Sequence, residues 1–165
     1  MSEILHRAIA EIGPRAYSPK QIAAWRSRHS GAEGYRERVG AGDAIMVAVD
    51  RLDRPVGYLL LQTDGHLDHL YLHPDHTRRG LAERLLDTAE TFARDGGIKR
   101  LFSEASGLAR PAFERAGYTM THRRDFSIDG VSIHNWAMEK PLARSALRAD
   151  QLRLSRQMNS IFSTR

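Results

Sequence analysis

His69-Leu70-Tyr71-Leu72-His73-Pro74-Asp75-His76-Thr77-Arg78-Arg79-Gly80-Leu81-Ala82-Glu83-Arg84-Leu85-Leu86 contains three kinds of chain in succession. The first residues are an apolar strand that ends at His73-Pro74. A short polar loop follows and closes in Arg78-Arg79-Gly80. Leu81, Ala82, Leu85 and Leu86 then recur at helical spacing. A strand, a basic turn with a glycine and a helix start together make an anion site. The first N–H groups of a helix lack internal partners, and the helix dipole favours negative charge there. Arg78 and Arg79 add charges suited to phosphate, and Gly80 and Ala82 are small enough to let an anion approach the backbone.

Upstream, Asp64-Gly65 reads as a two-residue hairpin turn, which makes residues 66–72 the third of three strands. The first two are the β-branched run 44–49 and the run 55–61, joined by a turn over 50–54. Before them, residues 3–12 place Ile4, Leu5, Ala8, Ile9 and Ile12 on one helical face, ended by Gly13-Pro14. Ser18-Pro19-Lys20-Gln21 is a helix start with a capping box, and a weaker helix holds Tyr35 and Val39. Downstream, the helix that begins at Leu81 runs to about Arg94 with Leu81, Leu85, Leu86, Ala89, Phe92 and Ala93 as its buried stripe. Asp95-Gly96-Gly97 closes it. Residues 98–105 form the next strand, and the helix between the two strands implies a right-handed crossover and a parallel pair. Residues 108–116 form a short helix stopped by Gly117. Residues 118–128 and 131–138 pair across Asp129-Gly130, and Pro141 ends the compact part.

The chain has 165 residues, 41% hydrophobic and 27% charged, which suits one packed domain and is too apolar for disorder. The absence of cysteine removes disulfides, thiolate zinc sites and a cysteine nucleophile. None of the eight histidines shows a tight metal-ligand spacing, so no metal is expected. No apolar run approaches membrane-spanning length and the start lacks a signal-peptide core, so a cytoplasmic protein without a membrane partner is expected. The net charge is +5, and Arg144, Arg148, Arg153, Arg156 and Arg165 against Asp150 give the tail +4 of it. This divides the chain into a near-neutral domain over 1–142 and a basic tail over 143–165. Leu147, Gln151, Leu154, Met158 and Ile161 give the tail an amphipathic helical stripe. Such a stripe packs on its own domain or on a second copy of the chain as a homodimer; a nucleic-acid or membrane-surface role is the minority reading.

The order of these elements around the Arg-Arg-Gly-Leu-Ala turn resembles the GNAT (Gcn5-related N-acetyltransferase) superfamily over about residues 17–142. Three pieces carry the resemblance. Thr77-Arg78-Arg79-Gly80-Leu81-Ala82 is similar to the family's Gln/Arg-x-x-Gly-x-Gly/Ala signature. The run from Glu104-Ala105-Ser106-Gly107 to Ala116-Gly117-Tyr118 is similar to its strand–helix segment ending in Gly-Phe/Tyr. Asn135-Trp136-Ala137-Met138-Glu139-Lys140-Pro141-Leu142 is similar to its closing strand. The resemblance implies an α+β fold: a mixed, mainly antiparallel sheet with a central splayed parallel strand pair and helices on both faces. It implies acetyl-CoA as co-substrate, held between residues 66–73 and 98–105. The pantetheine arm would lie on the backbone of Leu70, Tyr71 and Leu72, and the pyrophosphate on the amides of Arg78, Arg79, Gly80, Leu81 and Ala82. Thr77 stands in place of a longer polar residue and Ser106 in place of an asparagine. Phe113 stands where many members carry a tyrosine thought to protonate the departing thiolate, which leaves that acid unassigned. The chemistry implied is transfer of acetyl to a primary amine, on a small molecule or a protein, by direct attack in a ternary complex.

His66 and Asp68 share one strand face by the two-residue period, while His69 and Tyr71 point the other way. Glu104 has the parity of Ser106 and borders the same cleft. The resembled family often places a base or its water relay on the strand of His66 and Asp68, which implies these two, with Glu104 across the cleft, as the candidate catalytic groups. The competing reading is a polar pair at a strand end and a carboxylate satisfied by an arginine. His122, Arg123, Arg124 and His134 read as exposed strand residues. Residues 17–42 and 125–134 set the acceptor, which stays open. Two rival functions stand beside this one: a CoA-binding module with little turnover, for which Thr77 and Phe113 are the signs, and a nucleic-acid-associated protein acting through the tail.

Overall fold

The computed structural model describes residues 1–28 and 31–143; the amphipathic stripe expected over 144–165 lies outside the described residues. Apolar runs, continuous or alternating, form most of the strands, while the polar strand Thr119–Ile128 is held by its pairing with Val131–Pro141. β1 (Ala44–Val49), β2 (Pro55–Leu61) and β3 (Leu67–Leu72) make one antiparallel sheet in that order. β4 (Arg100–Ala105), β6 (Val131–Pro141) and β5 (Thr119–Ile128) make a second, with β6 in the middle. The central β2 is buried from Val56 to Leu61, as its unbroken apolar run requires.

Among the described residues the two sheets join at one point. His66 and Phe102 form an isolated parallel bridge. It is reinforced by Phe102 N–H donating to Gly65 O at 3.1 Å and by Ser103 Oγ–H donating to Leu67 O at 2.7 Å. Beyond this vertex β3 pairs with β2 and β4 pairs with β6, and the two strands part. The expected parallel pair is thus a single bridge followed by a splay that opens toward the C-terminal ends of both strands.

The hairpin before β3 also differs from the expected two-residue turn. Gln62 N–H bonds His66 O at 2.9 Å, so Thr63, Asp64 and Gly65 form a three-residue loop, with Gly65 at φ +96°. The register then slips: Leu60 faces His69 but Leu61 faces Leu67, which makes Asp68 a bulge. The bulge brings His69 round to the side of Asp68, with His69 Nε2 3.5 Å from Asp68 Oδ2. Simple alternation had placed His69 on the opposite face.

Helices cover both faces. α4 (Leu81–Asp95) buries Leu85, Leu86, Ala89 and Ala93 against Leu59, Leu61, Leu67, Leu101 and Met138, with Leu70 and Leu72 packed on the same cluster. Phe92, expected in that stripe, is 53% exposed. Glu90 takes a buried place instead, neutralised by Lys140 Nζ at 2.6 Å and Arg94 Nη2 at 2.7 Å. On the other face, α1 (Ser2–Arg7), its π-helical continuation Ala8–Ile12 and α3 (Ala32–Gly40) pack Ile4, Leu5, Ile9 and Tyr35 onto Tyr58 and Leu60. α2 (Pro19–Ser27) starts in the expected Ser18–Gln21 capping box and packs Ala24 with Ile133 of the second sheet. The short α5 (Arg110–Arg115) follows a turn after β4.

Candidate active site

On the α4 side of the splay, the chain builds a cradle for an anion. β3 is an edge strand of its sheet, so its outer backbone groups border the opening. The chain leaves Leu72 through His73 into a tight turn, Pro74–His76, and Thr77 Oγ1–H donates to Pro74 O at 3.1 Å. That hydroxyl is committed to the turn. Arg78 at φ 59° and Gly80 at φ 72° are both left-handed and flank Arg79. Left-handed residues in such a run turn successive N–H groups to one side, which makes an anion-binding concavity. It opens onto the N-terminus of the 15-residue α4, where Leu81 and Ala82 contribute the first helical N–H groups. Arg78 and Arg79 are exposed, and among the described residues neither pairs with a carboxylate.

Across the opening, Ser106 Oγ accepts from Ala109 N–H at 3.1 Å and so starts the turn before α5. Beside it, Tyr17 Oη accepts from Gly107 N–H at 3.0 Å. Phe113 is buried in the main core, edge-on to Tyr118 with centroids 5.1 Å apart. Among the sequence-predicted cofactor residues it is the one drawn deepest into the protein.

On the opposite side of the splay, at its vertex, His66, Asp68 and Glu104 come together. His66 Nε2 lies 2.6 Å from Glu104 Oε2 and His66 Nδ1 lies 2.6 Å from Gln62 Oε1. The imidazole stacks on Phe102 at 5.0 Å between centroids. Glu104 Oε1 is 3.3 Å from Arg124 Nη1. Asp68 is bonded to Arg38, which also holds Asp43 at 2.8 Å. Behind them, His69 Nδ1 is 3.2 Å from Tyr58 Oη, itself 2.6 Å from Tyr35 Oη. Gln62, Arg38, Arg124 and His69 are members that sequence reasoning missed. Arg124 meets Glu104 because the register pairs Glu104 with Ala137 and Arg124 with Asn135, which sets both charges on one face of the sheet, a placement that only the strand pairing reveals.

The electrostatics follow from these contacts. The hydrogen bond from His66 holds the Glu104 carboxyl below its ordinary value, against the effect of burial. Burial by itself would lower His66, but the bond to Glu104 and the nearby carboxylates outweigh it and raise its pKa. Burial would raise Asp68, and the Arg38 bond and the His69 charge outweigh that and lower it. Burial pushes the Tyr58 hydroxyl far up, so it stays protonated.

Residues 14–140 match the family model described as acetyltransferase (GNAT) domain. The uncharacterized N-acetyltransferase YafP of Escherichia coli (strain K12) is 29% identical over 135 residues, 82% of this chain and 83% of that protein. Among solved structures, a GCN5-related N-acetyltransferase from Rhodopseudomonas palustris is 30% identical with a TM-score of 0.76, over 86% of this chain and 87% of that one. The PaiA N-acetyltransferase of Thermoplasma acidophilum, solved in complex with coenzyme A, shares the fold at 17% identity and a TM-score of 0.68, over 85% and 89% of the two chains. The splayed strand pair, the helix-start cradle and these matches agree, and the chain belongs to the GNAT acetyltransferase family, which makes it an acyltransferase of the N-acetyltransferase kind.

Proposed function

We propose that residues 1–142 transfer the acetyl group of acetyl-CoA to a primary amine by direct attack with both substrates bound. The observation that carries this reading is a conjunction at one splay. An anion cradle stands at the open end of β3, and a cluster of titratable groups stands at its closed end. The backbone of Leu70, Tyr71 and Leu72 offers an edge to which an amide-bearing arm adds like a strand. The N–H groups from Arg78 to Ala82 hold a diphosphate, with Thr77 and Ser106 fixing the turns on either side and Phe113 packing beneath. The coenzyme A in the fold relative PaiA supports the same cofactor here. When bound, acetyl-CoA supplies an acyl group activated as a thioester.

Chain direction sets the order along the cleft. The cradle follows the C-terminal end of β3, so the acyl end runs back toward Asp68 and His66. There Glu104 and Asp68 attract an ammonium ion and hold it beside the vertex. The amine must lose a proton before its nitrogen can attack, and Glu104 is the ionised group placed to take it, directly or through a water. The chain has no cysteine to carry an acyl intermediate, in keeping with the direct route.

The test is release of free thiol from acetyl-CoA with a panel of small amines and lysine-containing peptides. Amine-dependent release is expected; CoA binding without release would mark a binding module and overturn the reading. Replacing Arg78 and Arg79 with Ala is expected to weaken CoA binding by about 1–3 kcal/mol, the range for lost charge-assisted contacts. Calorimetry would read this as roughly a ten- to hundredfold rise in Kd. Unchanged affinity would remove the phosphate assignment.

A further inference from the structure

Once the extra proton of an ammonium ion has left through Glu104 to solvent, transfer of acetyl from a thioester to the neutral amine leaves two protons to place. One must leave the nitrogen and one must reach the departing sulfur. The vertex of the splay separates these duties. His66 faces oxygen on both sides, Glu104 Oε2 at Nε2 and Gln62 Oε1 at Nδ1, each at 2.6 Å. A carboxylate and an amide oxygen only accept, and a neutral imidazole has a single N–H to give. With the Gln62 amide turned so that its oxygen faces Nδ1, both bonds are made together only by an imidazolium.

The surrounding charges agree. Asp64 in the hairpin loop, Asp68 on β3 and Glu104 on β4 all bear on His66 and favour its charged form. The nearest cations stand behind these carboxylates and are engaged with them: Arg124 of β5 on Glu104 and Arg38 of α3 on Asp68. His69 leans on Asp68 from the far side, and Phe102 and Gln62 are neutral. His66 is also one half of the bridge from which the splay opens, the end toward which the acyl group runs.

We propose that His66 is an imidazolium in the resting protein and is the proton donor to the sulfur that leaves, with Glu104 receiving the proton of the amine. The assignment rests on the acetyl-transfer reading above. The nitrogen lone pair forms the new N–C bond, and the C–S bond breaks with its electron pair going to sulfur. One proton passes from nitrogen to the Glu104 carboxylate and the Nε2 proton of His66 turns from Glu104 to sulfur, while Nδ1–H stays on Gln62, giving an N-acetyl amine and a free thiol. A neutral imidazole and a carboxylic acid then stand side by side, and one transfer along the Glu104–His66 bond restores the starting pair.

Two measurements test this. In the ligand-free protein, nitrogen NMR of the His66 ring should show both nitrogens protonated at neutral pH, titrating above the ordinary value of about 6.5. A ring that is neutral at and below that value would overturn the proposal. The second measurement is the pH dependence of kcat/KM for acetyl-CoA, which reports the ligand-free enzyme, with a weakly basic arylamine that stays neutral across the range. This ratio should fall as pH rises through the His66 pKa found by NMR. His66→Gln should lose that limb and fall in kcat/KM by about a hundredfold. A histidine acting as base gives the opposite slope, and a structural one leaves the limb in the variant; either result overturns the donor role. Absence of turnover by the native protein with every amine removes the reading beneath it, and the donor role with it.

Discussion

Glu104→Gln is expected to lower kcat/KM by about a thousandfold, within the 10²–10⁴ span of a positioned proton-transfer group. The substitution keeps the shape of the side chain and removes its charge, so the fold around β4 should survive. Three things are lost together: the acceptor for the amine's proton, the anion that draws an ammonium ion to the vertex, and the counterion that keeps His66 charged. The last loss has its own readout, because the His66 pKa measured by NMR should drop in the variant. Stability supplies another. Glu104 is held below its ordinary 4.5, so it contributes stability that is present above that value and lost as pH falls through its folded pKa. His66 is held above its ordinary 6.5, so it contributes stability that is present below that value and lost as pH rises through its folded pKa. Both contributions are full between those two ordinary values. Paired urea melts should therefore show the largest gap between native protein and variant in that window, narrowing on either side. An unchanged kcat/KM, or a gap that is flat with pH, would remove Glu104 from the centre of the site.

The sequence carried the fold where local physics decided it. The capping box at Ser18 and the continuous apolar run of β2 depend on near neighbours and formed as expected, and so did the helical stripe of α4 except at Phe92, which is exposed. What the sequence withheld depends on residues far apart along the chain. The bulge at Asp68 is a slip in the pairing of β3 with β2, and no two-residue period reveals it. Its result, His69 beside Asp68, changes the membership of the site. Glu90 was hidden in the same way. It occupies an apolar phase of α4, and only the fold shows that Lys140, 50 residues later, neutralises it. Within the site, His66, Asp68 and Glu104 were legible from strand parity, but their charge states were not. Those depend on Gln62 at the end of β2, Arg38 on α3 and Arg124 on β5, which converge only after both sheets have formed.

The convergence itself hangs on Gly65, and Gly65→Ala is expected to destabilise the protein by about 2–4 kcal/mol, the sum of a left-handed non-glycine residue and one lost buried hydrogen bond. Two effects act at this residue. Its φ of +96° suits glycine and strains any residue with a Cβ. A Cβ there would also overlap the Arg100 carbonyl oxygen and approach Ile98 Cγ2 at 3.0 Å. Backbone cannot rotate away as a side chain can, so the hairpin loop and β4 must separate. The first bond to go is Phe102 N–H to Gly65 O, which sits beside the His66–Phe102 bridge. Gly80 supplies the control. It is also left-handed, at φ 72°, but a Cβ there meets nothing within 4 Å. Gly80→Ala should thus lose only the conformational part, about 1–2 kcal/mol. If the two alanine variants prove equally unstable in urea, the overlap with Arg100 costs nothing and the vertex is not held by close backbone approach. If Gly65→Ala is the weaker of the two and its kcat also falls at a temperature where it remains folded, the vertex is both the tie between the sheets and the alignment of His66 with Glu104.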